Sequence, residues 1–450
     1  MDNQQRMQAF TGRAVRRRAL GAAVAAALTA AVLTTGPASA GVEAEVALGA
    51  SFGERGKVVT DFAGWYDRGN AVAAIGDGVI VAGDANAPGT SLRTGDFGLA
   101  RYDKHGRLDR AFGSHGKVTT DFLGDLDTAT TVAVQSDGKV VVAGQASTAN
   151  QSRTMFALAR YRANGSLDTS FGTGGKIITD LGGDAAATAM VIQRDGKLVV
   201  GGIHYPADSS TRGFELVRYL PDGTLDSSFG TGGRVVTLFE GRDDLADLAL
   251  QPDGRIIAVG VAGNYVAPDI AVARYRTDGS LDPGFGTGGK VTTDLGSLFD
   301  TARAVAVRPD GTIAVAGELQ EASGSDFLLA NYRADGSLNP DFGTDGTVIT
   351  DISGGNDQAY AVLAYGEDLI VAGTATVGSH DNFALVRYHP DGALDTGFGS
   401  NGKLTTDFGY HAVARGLAKL PHGRLVAAGS VDYRDQGGTG DFAVAGYHLD

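Results

Sequence analysis

The segment from residue 171 to residue 180 has the sequence FGTGGKIITD, in which a glycine-rich turn leads into a short run of β-branched residues. Glycine supplies the positive φ angles of tight turns, and β-branched residues favour strands. A motif that returns at a near-constant interval predicts a repeat protein rather than several unrelated domains. The Phe-Gly dipeptide returns at spacings of 56 to 60 residues, starting at Phe52, Phe112, Phe171, Phe229, Phe285, Phe342 and Phe398.

Each repeat contains four runs of strand length, rich in Val, Ile, Thr and aromatic residues and separated by Asp-Gly or Asn-Gly turns. The two central runs, such as residues 132–134 and 140–143, are apolar at successive positions rather than at alternate ones. Such runs suit a sheet that neighbouring sheets cover on both faces. The sequence therefore predicts an all-β fold, a seven-bladed β-propeller of four-stranded blades.

These repeats resemble the delta-60 repeat family, and more loosely the NHL-type propeller repeats. The resemblance extends over residues 47–450 in seven consecutive copies. It implies a propeller-like fold and the frequent occurrence of such repeats in exported bacterial proteins. It implies no defined activity.

A pair of residues that varies together among the repeats predicts how the ring closes. The fifth copy of this pair, counted from the N-terminus, is Asn331 with Asn339, and Gly446 ends the series where the chain stops before the second position. Gly49 aligns with that missing position, so we expect the N-terminal segment to complete the C-terminal blade, with residues 57–61 beside residues 442–445. The alternative is an open solenoid. In the other copies the pair is Arg101 with Asp109, Arg160 with Asp168, Arg218 with Asp226, Arg274 with Asp282 and Arg387 with Asp395.

The first forty residues differ from the repeats. Four arginines between residues 13 and 18 precede an uncharged, Ala-rich stretch at residues 19–33, and residues 38–40 form an A-x-A sequence. This order is typical of a signal peptide, which predicts residues 1–40 as the signal and residues 41–450 as the propeller. An N-terminal membrane anchor is the alternative. The Arg17-Arg18 pair leaves open whether export follows the general or the twin-arginine route.

Composition limits the partners and the location. The net charge is −14, and it becomes about −18 when residues 1–40 are left out. So acidic a protein repels nucleic acid and anionic lipid, and no later segment is apolar enough to insert into a membrane. Cysteine is absent, which excludes disulfides and thiolate metal sites. We therefore expect a monomer that is secreted, extracellular or associated with the cell wall.

The sequence contains no pattern that carries catalysis. Its eight histidines lie at no metal-ligand spacing, and it lacks a G-x-S-x-G elbow, an H-E-x-x-H motif and a P-loop. We therefore assign no catalytic residue. The paired Arg and Asp residues are interpreted as structural rather than as an anion site, because each charge has its partner.

A binding site should lie where the repeats differ. At the start of the inner strand three copies carry small residues, but four copies that become neighbours in the closed ring carry bulky polar ones. Aromatic residues in the adjoining loops add surface that suits a sugar ring or a carboxylated ligand. The alternative is neutral variation in exposed loops. The predicted ligand-binding residues are Trp65, Tyr66, Asn70, Arg303, Tyr360, Tyr410, His411 and Arg415.

Recurrent aspartates are the remaining candidates for chemistry. They end the outer strands, precede the inner strands and begin the third strands of several repeats. One interpretation is that each accepts backbone N–H groups and fixes its loop. The other is calcium binding, for which oxygen ligands are suitable, although no EF-hand-like loop is present. No cofactor other than calcium is expected, and the candidate metal ligands are Asp67, Asp127, Asp300 and Asp357.

Three functions remain in view. The first is an exported, non-catalytic binding or interaction scaffold that holds a small molecule, a glycan or another protein at the mouth of the central channel. The second is a propeller hydrolase or lyase of the lactonase or glycosidase type, with Asp67 and Asp300 among the candidate carboxylates. The third is a calcium-stabilised structural protein of the cell surface.

Overall fold

The glycine-rich segments that open each repeat form the tight turns that the sequence predicts. In the computed structural model Gly172, Gly174 and Gly175 have φ angles of 54°, 62° and 94°. A Cβ on Gly172 would lie 2.4 Å from the carbonyl oxygen of Lys176, so a larger residue does not fit there. The structure describes residues 48–49, 51–62, 66–86, 95–148, 152–206, 212–239, 241, 243–264, 267–433 and 439–449.

The described residues form seven antiparallel sheets of four strands, and none of them forms a helix. Blades 1 to 6 follow the chain, and blade 7 combines the first strand with the last three. In chain order the strands are β1 (Lys57–Thr60); β2 (Arg68–Ile75), β3 (Gly78–Asn86), β4 (Gly95–Tyr102) and β5 (Lys117–Thr120) of blade 1; β6 (Asp127–Val134), β7 (Val140–Ser147), β8 (Thr154–Tyr161) and β9 (Lys176–Thr179) of blade 2; β10 (Gly183–Ile192), β11 (Leu198–Pro206), β12 (Phe214–Tyr219) and β13 (Arg234–Thr237) of blade 3; β14 (Asp244–Leu250), β15 (Ile256–Asn264), β16 (Ala267–Tyr275) and β17 (Lys290–Thr293) of blade 4; β18 (Phe299–Val307), β19 (Ile313–Glu321), β20 (Gly324–Tyr332) and β21 (Thr347–Thr350) of blade 5; β22 (Asp357–Tyr365), β23 (Asp368–Val377), β24 (His380–Tyr388) and β25 (Lys403–Thr406) of blade 6; and β26 (His411–Leu420), β27 (Arg424–Asp432) and β28 (Gly440–His448) of blade 7.

The core lies between the blades rather than within them. One apolar cluster joins Ile80 and Phe97 of blade 1 to Val142 and Tyr161 of blade 2, and all four side chains are fully buried. Equivalent clusters occupy the other junctions. Because each central strand is covered by a blade on either side, its residues are apolar at successive positions, as the sequence indicated.

The ring is closed by the N-terminal strand. β1 pairs antiparallel with β28, with Lys57 opposite Ala445 and Thr60 opposite Phe442. The N–H of Gly49 donates to the carbonyl oxygen of Gly446 over 2.8 Å. Closure through the two ends of the chain is therefore confirmed, and the open solenoid is excluded.

The co-varying Arg and Asp residues form ion pairs in the blades that carry them. The N···O distance is 2.9 Å between Arg160 and Asp168, and both side chains are almost fully buried. The four equivalent pairs have N···O distances of 2.8 to 3.2 Å. In the Asn331 copy an amide hydrogen bond of 3.1 Å from Asn339 replaces the ion pair.

The pairs also connect each blade to the following one. Arg160 lies over the ring of Phe171, with its Cζ 4.5 Å from the ring centroid, and donates to the carbonyl oxygen of Pro221 in the next unit. Because Arg160 is satisfied by a carboxylate, a ring and a carbonyl, its contacts agree with the structural interpretation of the pair. Among the described residues, no helix is long and apolar enough to cross a membrane.

Candidate functional site

The seven inner strands surround a central cavity of about 630 Å³. The position at which the repeats differ most lies on its wall in every blade. Blades 5, 6, 7 and 1 contribute the bulky polar residues, and these blades are consecutive in the closed ring. In chain order the seven residues are Asn70, Thr130, Thr188, Ala246, Arg303, Tyr360 and Arg415.

A β-bulge places these residues on the wall of the cavity. In each inner strand the pairing with the second strand skips one residue, and the skipped residue is the variable one, as with Arg303 between Ala302 and Ala304. A bulge turns its side chain away from the normal alternation and bends the strand. In most blades the variable residue and the residue after it therefore both line the cavity, as Arg303 does with Ala304.

Tyr360 lies between two arginines from the neighbouring blades. The Cζ atoms of Arg303 and Arg415 are 4.8 Å and 5.4 Å from the centroid of its ring. The Tyr360 hydroxyl donates to the side-chain oxygen of Gln358 over 2.8 Å, which fixes the ring. An aromatic ring flanked by two guanidinium groups offers an apolar face together with donors for an anionic group.

Two of the polar residues have their partners within the protein. Arg303 donates to Glu318 Oε1 over 2.6 Å. Asn70 donates to Asp84 Oδ1 over 2.8 Å and to the carbonyl oxygen of Ala129 over 2.9 Å. Glu318 and Asp84 stand at the same place in the second strands of their blades, where each accepts a hydrogen bond from the variable polar residue.

Arg415 has no such partner among the described residues. Ser430 occupies the place in β27 at which the other two blades carry Asp84 and Glu318. Burial, and next the charge of Arg68, lower the pKa of Arg415 below its ordinary value. A partly buried arginine without a carboxylate partner is therefore directed at the cavity.

The structure places the other predicted residues at different distances from this cavity. Tyr66 contributes indirectly, because its hydroxyl accepts a hydrogen bond of 2.7 Å from the cavity residue Arg68. The Tyr410 ring packs on Tyr433 at 4.7 Å, and His411 Nδ1 lies 3.0 Å from Asp381 Oδ2. Neither Tyr410 nor His411 lines the cavity. Trp65 lies outside the described residues.

Two residues on the cavity wall were missed by the sequence analysis. Arg68 and Asp247 both line it. Asp247 follows the variable residue of β14, at a place where the other copies carry only Ala, Thr or Gly, and this exception was the available signal. Its carboxylate accepts hydrogen bonds from the N–H groups of Val305 and Leu248, at 2.9 Å and 2.8 Å.

The four candidate metal ligands lie in clusters of three aspartates, one cluster at each of four blade junctions. Within a cluster, one carboxylate oxygen from each residue lies within 4.8 Å of the others. At each of the other three junctions, aspartate occupies only one of the three equivalent positions. The clusters are Asp61 with Asp67 and Asp441, Asp96 with Asp121 and Asp127, Asp269 with Asp294 and Asp300, and Asp326 with Asp351 and Asp357.

The candidate carboxylates also fix their loops. Each accepts a backbone hydrogen bond of 2.5 to 2.6 Å, from Phe62 to Asp67, from Phe122 to Asp127, from Leu295 to Asp300 and from Ile352 to Asp357. Asp67 and Asp300 belong to different clusters, so the structure does not bring these two together as an acid/base pair.

The cluster around Asp127 is expected to make stability depend on pH. Burial, with the charges of Asp121 and Asp96, raises the pKa of Asp127 from 3.8 to about 7, against hydrogen bonds from backbone N–H groups. The folded state then binds a proton more tightly than the unfolded state, so stability is lost as the pH rises from about 4 to 7. We predict that Asp127→Asn, measured by urea unfolding in EDTA, stabilises the protein by about 1–2 kcal/mol at pH 8.

The gain should shrink towards zero at pH 4, where the native carboxyl is also neutral. The exposed Asp137→Asn serves as the control, since the pKa of Asp137 is lowered rather than raised. A loss of stability on Asp127→Asn at pH 8 would show that the ionised carboxylate is favourable in the folded state.

The closed ring of four-stranded sheets around a central cavity defines the protein as a β-propeller. Residues 135–171, 193–229, 251–285, 308–342 and 369–398 match the family described as "Domain of unknown function (DUF5122) beta-propeller". Five repeats of the chain therefore match this propeller family, which confirms the resemblance to delta-60-like repeats that was inferred from the sequence.

No curated protein matches the chain. Similar solved structures include a protein of unknown function from Dyadobacter fermentans, with 9% identity, a TM-score of 0.48 and coverage of 88% of this chain and 98% of that one. The polysaccharide lyase Uly1 has 12% identity, a TM-score of 0.49 and coverage of 85% and 90%. The PQQ-bound aldose sugar dehydrogenase from Streptomyces coelicolor has 14% identity, a TM-score of 0.39 and coverage of 71% and 95%.

Proposed function

We propose that this protein is an exported, non-catalytic binding scaffold that holds a small molecule or a glycan at the mouth of its central cavity. Residues 1–40 would direct export, and the acidic ring that remains would act outside the cell or at the cell wall. The volume of the cavity, about 630 Å³, is in the range of small-molecule sites.

The observation that carries this proposal is the asymmetry of the cavity wall. One sector carries Arg303, Tyr360 and Arg415 on adjacent blades, whereas the remaining variable positions are smaller, with Thr130, Thr188 and Ala246 in succession. A wall that only had to close the ring would have no need of three large polar side chains on one side. Convergent polar groups beside an aromatic ring are the usual composition of a ligand site.

Among the described residues, the wall does not provide the pair of carboxylic acids that a glycosidase uses. Asp247 is the only carboxylic acid among the described residues that line the cavity, and its oxygens accept hydrogen bonds from two backbone N–H groups. Hydrolysis of a glycosidic bond usually requires two carboxylic acids at a defined distance. Binding without turnover is therefore the function that the geometry supports best.

Substitution of Tyr360 tests the scaffold proposal. Tyr360→Ala removes the ring that both arginines contact, so we expect the affinity for a bound saccharide to fall at least about tenfold. Isothermal titration of the mature protein against a panel of neutral and acidic oligosaccharides measures this change. Tyr205→Ala is the matched control, because Tyr205 is 46% exposed and does not line the cavity.

Two results would count against the scaffold proposal. One is the absence of binding to every saccharide and small acid in the panel by the native protein. The other is equal affinity of the native protein and the Tyr360→Ala variant for a saccharide that does bind.

A further inference from the structure

The chemistry of the ligand can be inferred from the charges on the cavity wall, and this inference rests on the proposed binding function. Three arginines face the cavity, namely Arg68, Arg303 and Arg415. Arg303 is paired with Glu318, and Arg68 lies beside Asp84 and donates to Tyr66. The blade that carries Arg415 has Ser430 at the place of the acid, so Arg415 has no ion-paired carboxylate among the described residues, and the opposing charge of Asp84 acts on it only from the next blade.

The guanidinium donors of this sector are also incompletely satisfied. The Nε atoms of Arg303 and Arg415 are both buried, and neither has a hydrogen-bond partner among the described residues. Both guanidinium groups contact the aromatic ring of Tyr360. Tyr360 therefore lies between two arginines with unused donors, one from each neighbouring blade. An unpaired buried donor costs about 1–3 kcal/mol, and more when the group is charged. Because the Nε atoms have almost no accessible surface, a ligand in the cavity meets the outer nitrogens of the two guanidinium groups.

The number of charges favours an anion with a single negative charge. Glu318 is ion-paired with Arg303, and Asp84 acts electrostatically on both Arg68 and Arg415. The acid on the wall itself, Asp247, belongs to blade 4 and is held by the N–H groups of Val305 and Leu248. Because these acids already offset much of the positive charge, a singly charged carboxylate suits the wall better than a doubly charged phosphate.

The shapes of the groups agree with this choice. A guanidinium group presents a planar fork of donors that matches the two oxygens of a carboxylate. The face of Tyr360 supplies apolar contact for a pyranose ring. Thr130 and Thr188 on the wall donate their hydroxyl protons to backbone carbonyl groups, so their oxygens are available to a ligand only as acceptors. We infer that the cavity binds a uronic acid unit of a glycan, with its carboxylate at Arg415 and its ring beside Tyr360.

Titration with three matched probes tests this inference. The probes are an oligogalacturonide, a neutral galacto-oligosaccharide of the same length and galactose 6-phosphate. We expect the oligogalacturonide to bind the native protein at least about tenfold more tightly than either of the other probes. Arg415→Gln should remove this preference by weakening the acidic probe alone.

The control variant is Lys419→Gln, which removes an exposed cation from the same strand. It should leave all three affinities unchanged, which separates the effect of Arg415 from a general change in charge. Thermal unfolding of both variants checks that the ring is intact. Because Arg415 has no ion-paired carboxylate to lose among the described residues, and only its contact with the Tyr360 ring is removed, Arg415→Gln should change the melting temperature little.

The outcomes distinguish the inference from the proposed function. Equal binding of acidic and neutral probes that depends on Tyr360 would overturn the uronate inference and leave the scaffold standing. Tightest binding of the phosphate, or an unchanged affinity of Arg415→Gln for the oligogalacturonide, would also overturn it. If the native protein binds none of the three probes, the uronate assignment is wrong. If it also binds nothing in the whole saccharide panel, the scaffold proposal is wrong as well.

Discussion

Removal of residues 1–61 is expected to abolish the stable ring. The deletion takes away β1, which is the outer strand of blade 7, and leaves β28 as an unpaired edge. It also removes Phe52, which is 5% exposed in the junction between blades 7 and 1. Loss of one such buried phenylalanine costs about 3–5 kcal/mol, and the missing strand adds to it, which together approach the whole stability of a typical domain.

A shorter deletion provides the control. Removal of residues 1–40 takes away the predicted signal and keeps β1, so its thermal and urea unfolding should match those of the full chain. We expect the longer deletion to bind hydrophobic dyes and to aggregate, as a chain with an exposed edge does. If the protein without residues 1–61 still unfolds cooperatively at the native midpoint, blade 7 needs only three strands.

The second large effect is expected from breaking the Arg160–Asp168 pair. Both side chains are almost fully buried, so Asp168→Ala leaves a guanidinium charge without its carboxylate. Such a change costs about 3–5 kcal/mol. We therefore predict a marked fall in the urea midpoint with little change in the slope of the transition.

The protein itself contains the compensating substitution. Blade 5 carries Asn331 and Asn339 in place of the pair and joins them by an amide hydrogen bond. The double variant Arg160→Asn with Asp168→Asn should therefore recover most of the stability that Asp168→Ala loses. Asp109→Ala is the comparison at a more exposed pair, whose side chains are 23% and 29% exposed, and it should cost clearly less. Equal losses at both pairs would show that burial does not set the cost.

The same pair contributes to acid sensitivity. Burial opposes the ionisation of Asp168, but hydrogen bonds from Ser170 and the charges of Arg160 and Lys139 outweigh it and hold the pKa well below its ordinary value. The stability that this depressed pKa provides is present above the unfolded-state pKa of about 4 and is lost as the pH falls below it. The Asn/Asn variant should lack this part of the acid transition.

The sequence was sufficient for the architecture because the repeats provide internal comparisons. Seven copies show which residues change together, and the pairing of Arg160 with Asp168 was inferred from that pattern and is present as an ion pair. The two glycines that interrupt the pattern, Gly49 and Gly446, identified the ends that meet, and their backbones are hydrogen-bonded. Co-variation of this kind predicts contact between two residues even though the loops of the repeats differ in sequence.

The site was predicted less completely, for a physical reason. Strict alternation along a strand would put the residue after Ala246 on the opposite face, yet the bulge turns Asp247 to the cavity as well. Composition does not indicate where a bulge lies, so the sequence analysis did not assign Asp247 to the cavity. Tyr410 and His411 were assigned to the site from their nearness in sequence to Arg415, but their side chains pack against neighbouring loops instead.

Closure through the two ends of the chain has a consequence for the order of folding. Lys57 and its partner Ala445 are about 390 residues apart, so β1 is synthesised long before β28 and can pair with it only after the six intervening blades have been made. Blades 1 to 6 are each made from one continuous segment and can form as they emerge. We therefore expect closure of the ring to be the last step of folding, and premature packing of β1 against another blade to be a route to misfolding.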